Sequence, residues 1–197
     1  MKRALKMWKR TVTTLFLLSQ RRDAMKCHSS AASLALAALA VLGLVGPVAA
    51  GEQVPFLGRF AGVVTVTVTP GFPPIASANV NATGVATHLG QFTLAIPHSV
   101  IFTPTFPRTS SGFYNFVAAN GDTLSASFTG LVNPIPGVPG ALAAVESANI
   151  TGGTGRFAGA TGDFTVERVA LIDPATGTGT TIGSFYGTIS SPGAAQR

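Results

Sequence analysis

The stretch Ile150–Gly162, ITGGTGRFAGATG, decides how this chain folds. Five glycines fall within it, and sequence rich in Val, Thr and Phe lies on both sides. Glycine at that density marks turns, positive φ and close backbone approach rather than a helix. Gly152, Gly153, Gly155, Phe157, Gly159 and Gly162 are therefore read as a structural motif. Gly153-Thr154-Gly155-Arg156-Phe157-Ala158 also has the G-x-G-x-x-A form of a dinucleotide fingerprint, with Asp173 twenty residues beyond Gly153. A pyrophosphate needs a helix N-terminus directly after the glycines. Gly159, Thr161, Gly162, Thr165 and Val166 will not build one, so the nucleotide reading fails and no cofactor is expected.

Outward from this motif the chain alternates with period two and shows no helical period after Gly51. In Phe60–Thr69, Val64, Val66 and Val68 fall on one face and Thr65, Thr67 and Thr69 on the other. Phe92, Leu94 and Ile96 alternate with Gln91, Thr93 and Ala95. Leu124, Ala126 and Phe128 alternate with hydroxyl residues. Eight strands are predicted, at about 60–69, 77–88, 91–99, 112–119, 122–131, 141–151, 161–173 and 179–190. Asn120-Gly121 predicts a type I′ hairpin turn, and the Pro-rich runs Thr103–Arg108 and Asn133–Gly140 predict surface loops. Eight strands joined mostly by short turns pair antiparallel, and such a meander exposes two edges unless it closes. The expected fold is all-β, an eight-stranded antiparallel up-and-down β-barrel over residues 51–192, with a β-sandwich as the alternative. Gly51–Leu57 is read as a lead-in and residues 193–197 as a flexible tail.

Charge divides the chain near residue 50. Eight of the 13 Lys and Arg lie in residues 1–26, whereas from Gly51 onward five arginines face six carboxylates, a formal balance of −1. The basic character belongs to the leader, and no basic patch remains to neutralise nucleic-acid phosphates. His28–Ala50 is uncharged and rich in Ala, Leu and Val, and Gly46-Pro47-Val48-Ala49-Ala50 closes it. A basic region, an apolar core and small residues at −3 and −1 form a secretory signal cleaved near Ala50. An uncleaved membrane anchor is the alternative. Met25 begins a tidier signal than Met1, which is explained by a mis-chosen start or by a twin-Arg signal at Arg21-Arg22. The expected location is secreted or periplasmic, with no membrane association after signal removal. The segment from Gly51 holds no Cys, Met, Trp or Lys, so disulfides, thiol chemistry and Lys Schiff bases are excluded from it.

The run ITGGTGRFAGATGDFTVERV (Ile150–Val169) resembles the allene oxide cyclase and dirigent group of calycin-type eight-stranded barrels. Allene oxide cyclases carry a similar Ile-Thr-Gly-Gly segment followed by Gly, Phe, Gly-Ala and Gly, and dirigent proteins a similar Gly-Gly-Thr-Gly with a following Phe. A weaker likeness covers Gly112–Gly130, where an aromatic strand, the Gly121-Asp122 turn and Leu124 resemble the preceding cyclase hairpin. The resemblance implies a barrel that confines a reactive molecule in an apolar cavity and works by positioning. It also implies a homo-oligomer, a trimer. It assigns no catalytic residue.

Candidate residues follow from strand faces. Glu146 shares a face with Leu142, Ala144, Ala148 and Ile150, and Arg168 with Phe164 and Val166. Their strands are expected neighbours, so the two are expected to pair across the sheet. His98 continues the Phe92-Leu94-Ile96 face. Glu146, Arg168 and Tyr186 are the catalytic candidates, and His98, Tyr114, Glu146 and Arg168 the ligand-binding ones. Two histidines without a well-placed carboxylate make no metal site. Val169-Ala170-Leu171-Ile172 breaks the alternation, which predicts either a bulge or a strand covered on both faces, the latter implying an oligomer interface. Three functions fit: a non-enzymatic barrel holding a small apolar molecule, a cofactor-independent cyclase-like or dirigent-like barrel, and a surface adhesion or matrix domain with a plugged interior. Cavity volume separates them.

Overall fold

The computed structural model describes residues 52–190 and 192. The leader, its cleavage point at Ala50 and the tail 193–197 lie outside the described residues. Eight strands run in order: β1 (Gln53–Thr69), β2 (Ile75–Ala86), β3 (Gly90–Ile101), β4 (Arg108–Ala118), β5 (Thr123–Pro134), β6 (Ala141–Gly153), β7 (Gly162–Asp173) and β8 (Thr178–Ser190). Each pairs antiparallel with the next, and β8 returns to β1, so the sheet closes as an up-and-down barrel. Alternation is the cause: along β1, Phe56, Phe60 and Val64 are buried while Leu57, Arg59 and Val63 face solvent. Closure satisfies the backbone of both strands that an open meander would leave unpaired.

Three local expectations are corrected. Gly51–Leu57 is not a lead-in, because β1 starts at Gln53 and pairs with β8 from Gln53↔Ser190 onward. Pro55 disguised this strand. Its carbonyl points toward Thr87 Oγ1, on the side where β1 has no β2 partner before Gly58. The missing N–H therefore costs no ladder bond. The Asn120-Gly121 turn is longer than a type I′ hairpin: Gly121 N donates to Ala118 O at 2.9 Å, and Gly121 has φ 87° while Asn120 does not have positive φ. Asn120 Oδ1 instead accepts from Asp122 N at 3.2 Å, an Asx turn that favours this form. No bulge interrupts Val169–Ile172, whose registers with β6 and β8 are continuous. The bulge is thereby excluded, and Val169 and Leu171 face outward on the barrel wall, where the alternative reading of a covered strand places an interface.

The glycine motif behaves as read. Gly152, Gly155, Gly159 and Gly162 have positive φ, and a Cβ at Gly153 would come within 2.1 Å of Thr123 O. Its one helical turn is the three-residue 3-10 segment Gly155–Phe157. The motif folds Phe157, fully buried, under one end of the barrel, where Leu89 from the β2–β3 turn joins it. Asp122 holds the motif in place by accepting from Arg156 N at 3.3 Å and pairing with Arg156 Nε at 3.5 Å. Above this plug Phe56, Phe92, Phe116, Phe164 and Phe185 pack edge-on and tilted, with ring centroids 4.9–6.3 Å apart. One half of the barrel is thus closed and solid, and aromatic packing of this kind adds to area burial.

Candidate functional site

The other half is open. Between the β1–β2, β3–β4, β5–β6 and β7–β8 connections lies a cavity of about 600 Å³. Its wall is apolar, with Val64, Val66, Ala78, Leu142, Ala170 and Ile172 among the lining residues. These follow from alternation at and beyond the polar layer that separates the cavity from the phenylalanine core: Ala170 and Ile172 are the next two inward positions after Arg168 on β7, Leu142 lies two inward positions from Glu146 on β6, and Ala78 pairs with His98 itself.

Four side chains on four strands make that layer: His98 (β3), Tyr114 (β4), Glu146 (β6) and Arg168 (β7). Glu146 is fully buried. It accepts from Arg168 Nη2 at 2.8 Å and from Arg168 Nε at 3.1 Å to each oxygen. Its Oε2 also accepts from the Tyr114 hydroxyl. Arg168 lies opposite Ala144, two residues from Glu146, so the pair is diagonal across β6 and β7. Arg168 Nη2 also lies 3.0 Å from His98 Nε2. Arginine can only donate, so Nε2 accepts and the His98 proton sits on Nδ1, which donates to the Ile96 carbonyl at 3.0 Å.

Inward glycines make room for this layer. In cross-strand register Gly112 faces His98, Gly130 faces Glu146 and Gly183 faces Arg168. A Cβ at Gly130 would meet Glu146 Cγ at 2.5 Å, and one at Gly112 would meet His98 Cβ at 2.5 Å. Small residues opposite large ones are how a narrow barrel accommodates its contents.

Protonation follows from this geometry. Burial, and then the Glu146 charge, push the Tyr114 phenol well above its ordinary value, so it remains a neutral donor. Burial lowers His98 below its ordinary 6.5, and the Arg168 charge lowers it further, against smaller opposing effects of the Ile96 bond and Glu146. Burial opposes the charge on Arg168, but the Glu146 carboxylate and its hydrogen bonds, with Tyr114, outweigh it and raise its value. The layer is a neutralised ion pair flanked by two uncharged rings.

One donor group is left over. Among the described residues Arg168 Nη1 has no hydrogen-bond acceptor, and it is not sealed within the side chains of the layer. Arg168 and His98 line the cavity floor. At the rim Arg108 stands between two rings, its guanidinium carbon 3.9 Å from the Phe102 centroid and 4.3 Å from that of Phe106. Its Nε donates to Thr103 O at 3.3 Å, and among the described residues no acidic side chain lines the cavity. The site therefore offers an apolar body, one hydrogen-bond donor at depth and one cation at the mouth.

Of the sequence candidates, the structure brings Glu146, Arg168, His98 and Tyr114 together. It places Tyr186 elsewhere: half exposed on the outer wall, next to the inward Phe185. Parity along β8 decides this, because Thr181, Phe185 and Ile189 face in. Arg108 was missed because its Pro-rich neighbourhood reads as a surface loop. Among the described residues no group of three His, Cys, Asp or Glu side chains could hold a metal ion.

With the barrel and its half-open interior established, the chain can be set beside known proteins. No family model and no curated protein matches it. Its structure is similar to those of dirigent proteins. One is a pterocarpan synthase dirigent protein, 17% identical, with a TM-score of 0.44 over 72% of this chain and 87% of that one. A second pterocarpan synthase dirigent protein is 12% identical, with a TM-score of 0.42 over 69% of this chain and 94% of the other.

Proposed function

We propose that this is an exported barrel whose open half binds a small, mainly apolar molecule, with a hydrogen-bond acceptor resting on Arg168 and its outer end near Arg108. The observation that carries this is the division of the interior: one half is packed solid by phenylalanine, and the other is a cavity of about 600 Å³ floored by an arginine with a free donor. Ligand sites have this form, a largely apolar pocket with a few convergent polar groups. A matrix or adhesion module needs no such cavity. The lining and the wall support a water-soluble barrel, since a phenylalanine interior under a Ser- and Thr-rich exterior reverses the polar-in pattern of membrane barrels. The leader supports export.

A second reading is a barrel that positions a reactive phenolic or lipid-derived substrate, as cyclase-like and dirigent-like barrels do. Arg168 Nη1 favours it, because a preorganised donor stabilises charge developing on a substrate oxygen. Native mass spectrometry of protein from its own host tests the shared premise. A small-molecule adduct lost on denaturation is expected. Protein that arrives bare and takes up no apolar compound refutes both readings.

A further inference from the structure

The two ends of the barrel are built from opposite materials. The β1–β2, β3–β4, β5–β6 and β7–β8 connections (residues 70–74, 102–107, 135–140 and 174–177) lie at the cavity end. Eight of their 21 residues are proline and none is charged. The connections at the sealed end (residues 87–89, 119–122 and 154–161) contain no proline and carry His88, Asp122 and Arg156. Their large apolar residues, Leu89 and Phe157, are turned inward and buried. At the open end the treatment is reversed: Phe72 is fully exposed, and Phe106 and Val138 are 40% and 48% accessible. Apolar side chains gathered at one end in this way mark a contact surface.

The backbone of these tips is also short of free donors. Proline has no N–H to leave unpaired. Of the remaining groups, Phe102 N donates to Pro74 O at 2.9 Å, Val138 N to Ile135 O at 3.3 Å and Gly177 N to Asp173 O at 2.8 Å. Thr103 Oγ1 donates to Thr105 O at 2.7 Å. Dehydrating the tips therefore strands few polar groups. The charges bordering them, Arg108 at the start of β4 and Asp173 at the end of β7, are opposite in sign.

We propose that this crown seats the barrel on a lipid surface, with Phe72, Phe106 and Val138 entering the boundary between headgroups and acyl chains. A specific protein partner draws on a polar rim and about ten hydrogen bonds, whereas these tips supply few free donors and no charge. They are also four separate projections around an opening, which a fluid medium fills and a folded surface would have to plug. Docked this way, the mouth faces the bilayer, and an apolar ligand passes between membrane and cavity without crossing water. That consequence, unlike the docking itself, rests on the ligand-binding reading above. The wall spans nothing and the contact is peripheral, in place of the absence of membrane association expected from the sequence.

The test is flotation of the exported protein with phosphatidylcholine vesicles. Wild type is expected to float with them, and equally so from low salt to about 1 M, where charges are screened beyond about 3 Å. Phe72→Ser lowers the partition coefficient by about tenfold or more. Its thermal melt stays unchanged, because Phe72 is fully exposed. Ile182→Ser, which removes an apolar side chain 62% accessible on the outer wall, leaves partition unchanged. Phe72→Trp reports the contact directly: its emission, read as the difference from wild type, moves to the blue when vesicles are added. No flotation of wild type, flotation lost at high salt, Phe72→Ser floating like wild type, equal losses in the two serine variants, or an unshifted emission would each overturn the docking. Wild type that floats but takes up no N-phenyl-1-naphthylamine in vesicle-free buffer keeps the docking and removes only the ligand reading.

Discussion

Replacing Glu146 by Gln strips the counter-charge from a guanidinium that is only 5% accessible and has no other carboxylate partner among the described residues. The amide keeps the shape and can accept one bond from Arg168. Its NH₂, however, faces either the Arg168 donors or the Tyr114 hydroxyl, and both were donating. Removing one partner of a buried pair costs about 3–5 kcal/mol because the remaining charge stays desolvated. For a domain of this size that is a large share of a total of about 5–15 kcal/mol, and it lowers the melting temperature by about 10–15 °C. Adding Arg168→Met removes the stranded charge, and Met fills much of the same volume. The double variant should therefore melt above the Glu146→Gln single variant, although it carries one more change. Denaturant unfolding of wild type, both singles and the double gives the coupling directly. If Glu146→Gln costs under about 1 kcal/mol, or if the two changes add, the layer is not the tightly coupled neutral unit described here.

Two further outcomes follow from the same layer and from the rim. Because the folded His98 lies below its ordinary 6.5, the unfolded chain takes up this proton first as pH falls. The His98 contribution is complete above about pH 6.5 and is lost as pH drops toward the folded value, so melting temperature should fall from pH 7.5 to 5 and fall less in His98→Gln. Equal slopes for the two proteins would remove His98 as the cause. At the rim, 8-anilinonaphthalene-1-sulfonate should bind more tightly than uncharged N-phenyl-1-naphthylamine. Arg108→Gln should weaken only the sulfonate, by about tenfold, since a hydrogen bond to a charged group is worth about 1.5 kcal/mol or more. Fluorescence titration reads both affinities, and equal losses for the two dyes would mean that Arg108 shapes the mouth and does not recognise charge.

Much of this was legible in the chain because a strand has a strict parity. Glu146, Arg168 and His98 each share a face with apolar neighbours, and that alone points them inward. Their meeting was harder to read. Glu146 and Arg168 sit on adjacent strands, but His98 arrives from the far side of the barrel, and only closure with its stagger sets which inward residues share a level. The glycines held more than was taken from them. Those of Ile150–Gly162 announce a crossing, yet Gly112, Gly130 and Gly183 also lie at inward strand positions, and a bare inward position beside a bulky one on the next strand marks where the interior is most crowded. Tyr186 shows the converse: chemical aptitude suggested a site, whereas its place one residue after Phe185 sends it to the outer wall. Pro55 and the Pro-rich run before Arg108 hid a strand start and a rim cation for one reason, since proline reads as loop wherever its missing N–H would matter.

The most direct measurement is a methyl NMR titration with N-phenyl-1-naphthylamine. A small molecule held in the open half should shift Val64, Val66, Leu142 and Ile172 saturably and leave Leu124 and Ile189, on the sealed side of the polar layer, unmoved. Shifts confined to outer-wall methyls such as Val145 and Ile182, or no saturable shift at all, would mean that the barrel holds no ligand inside.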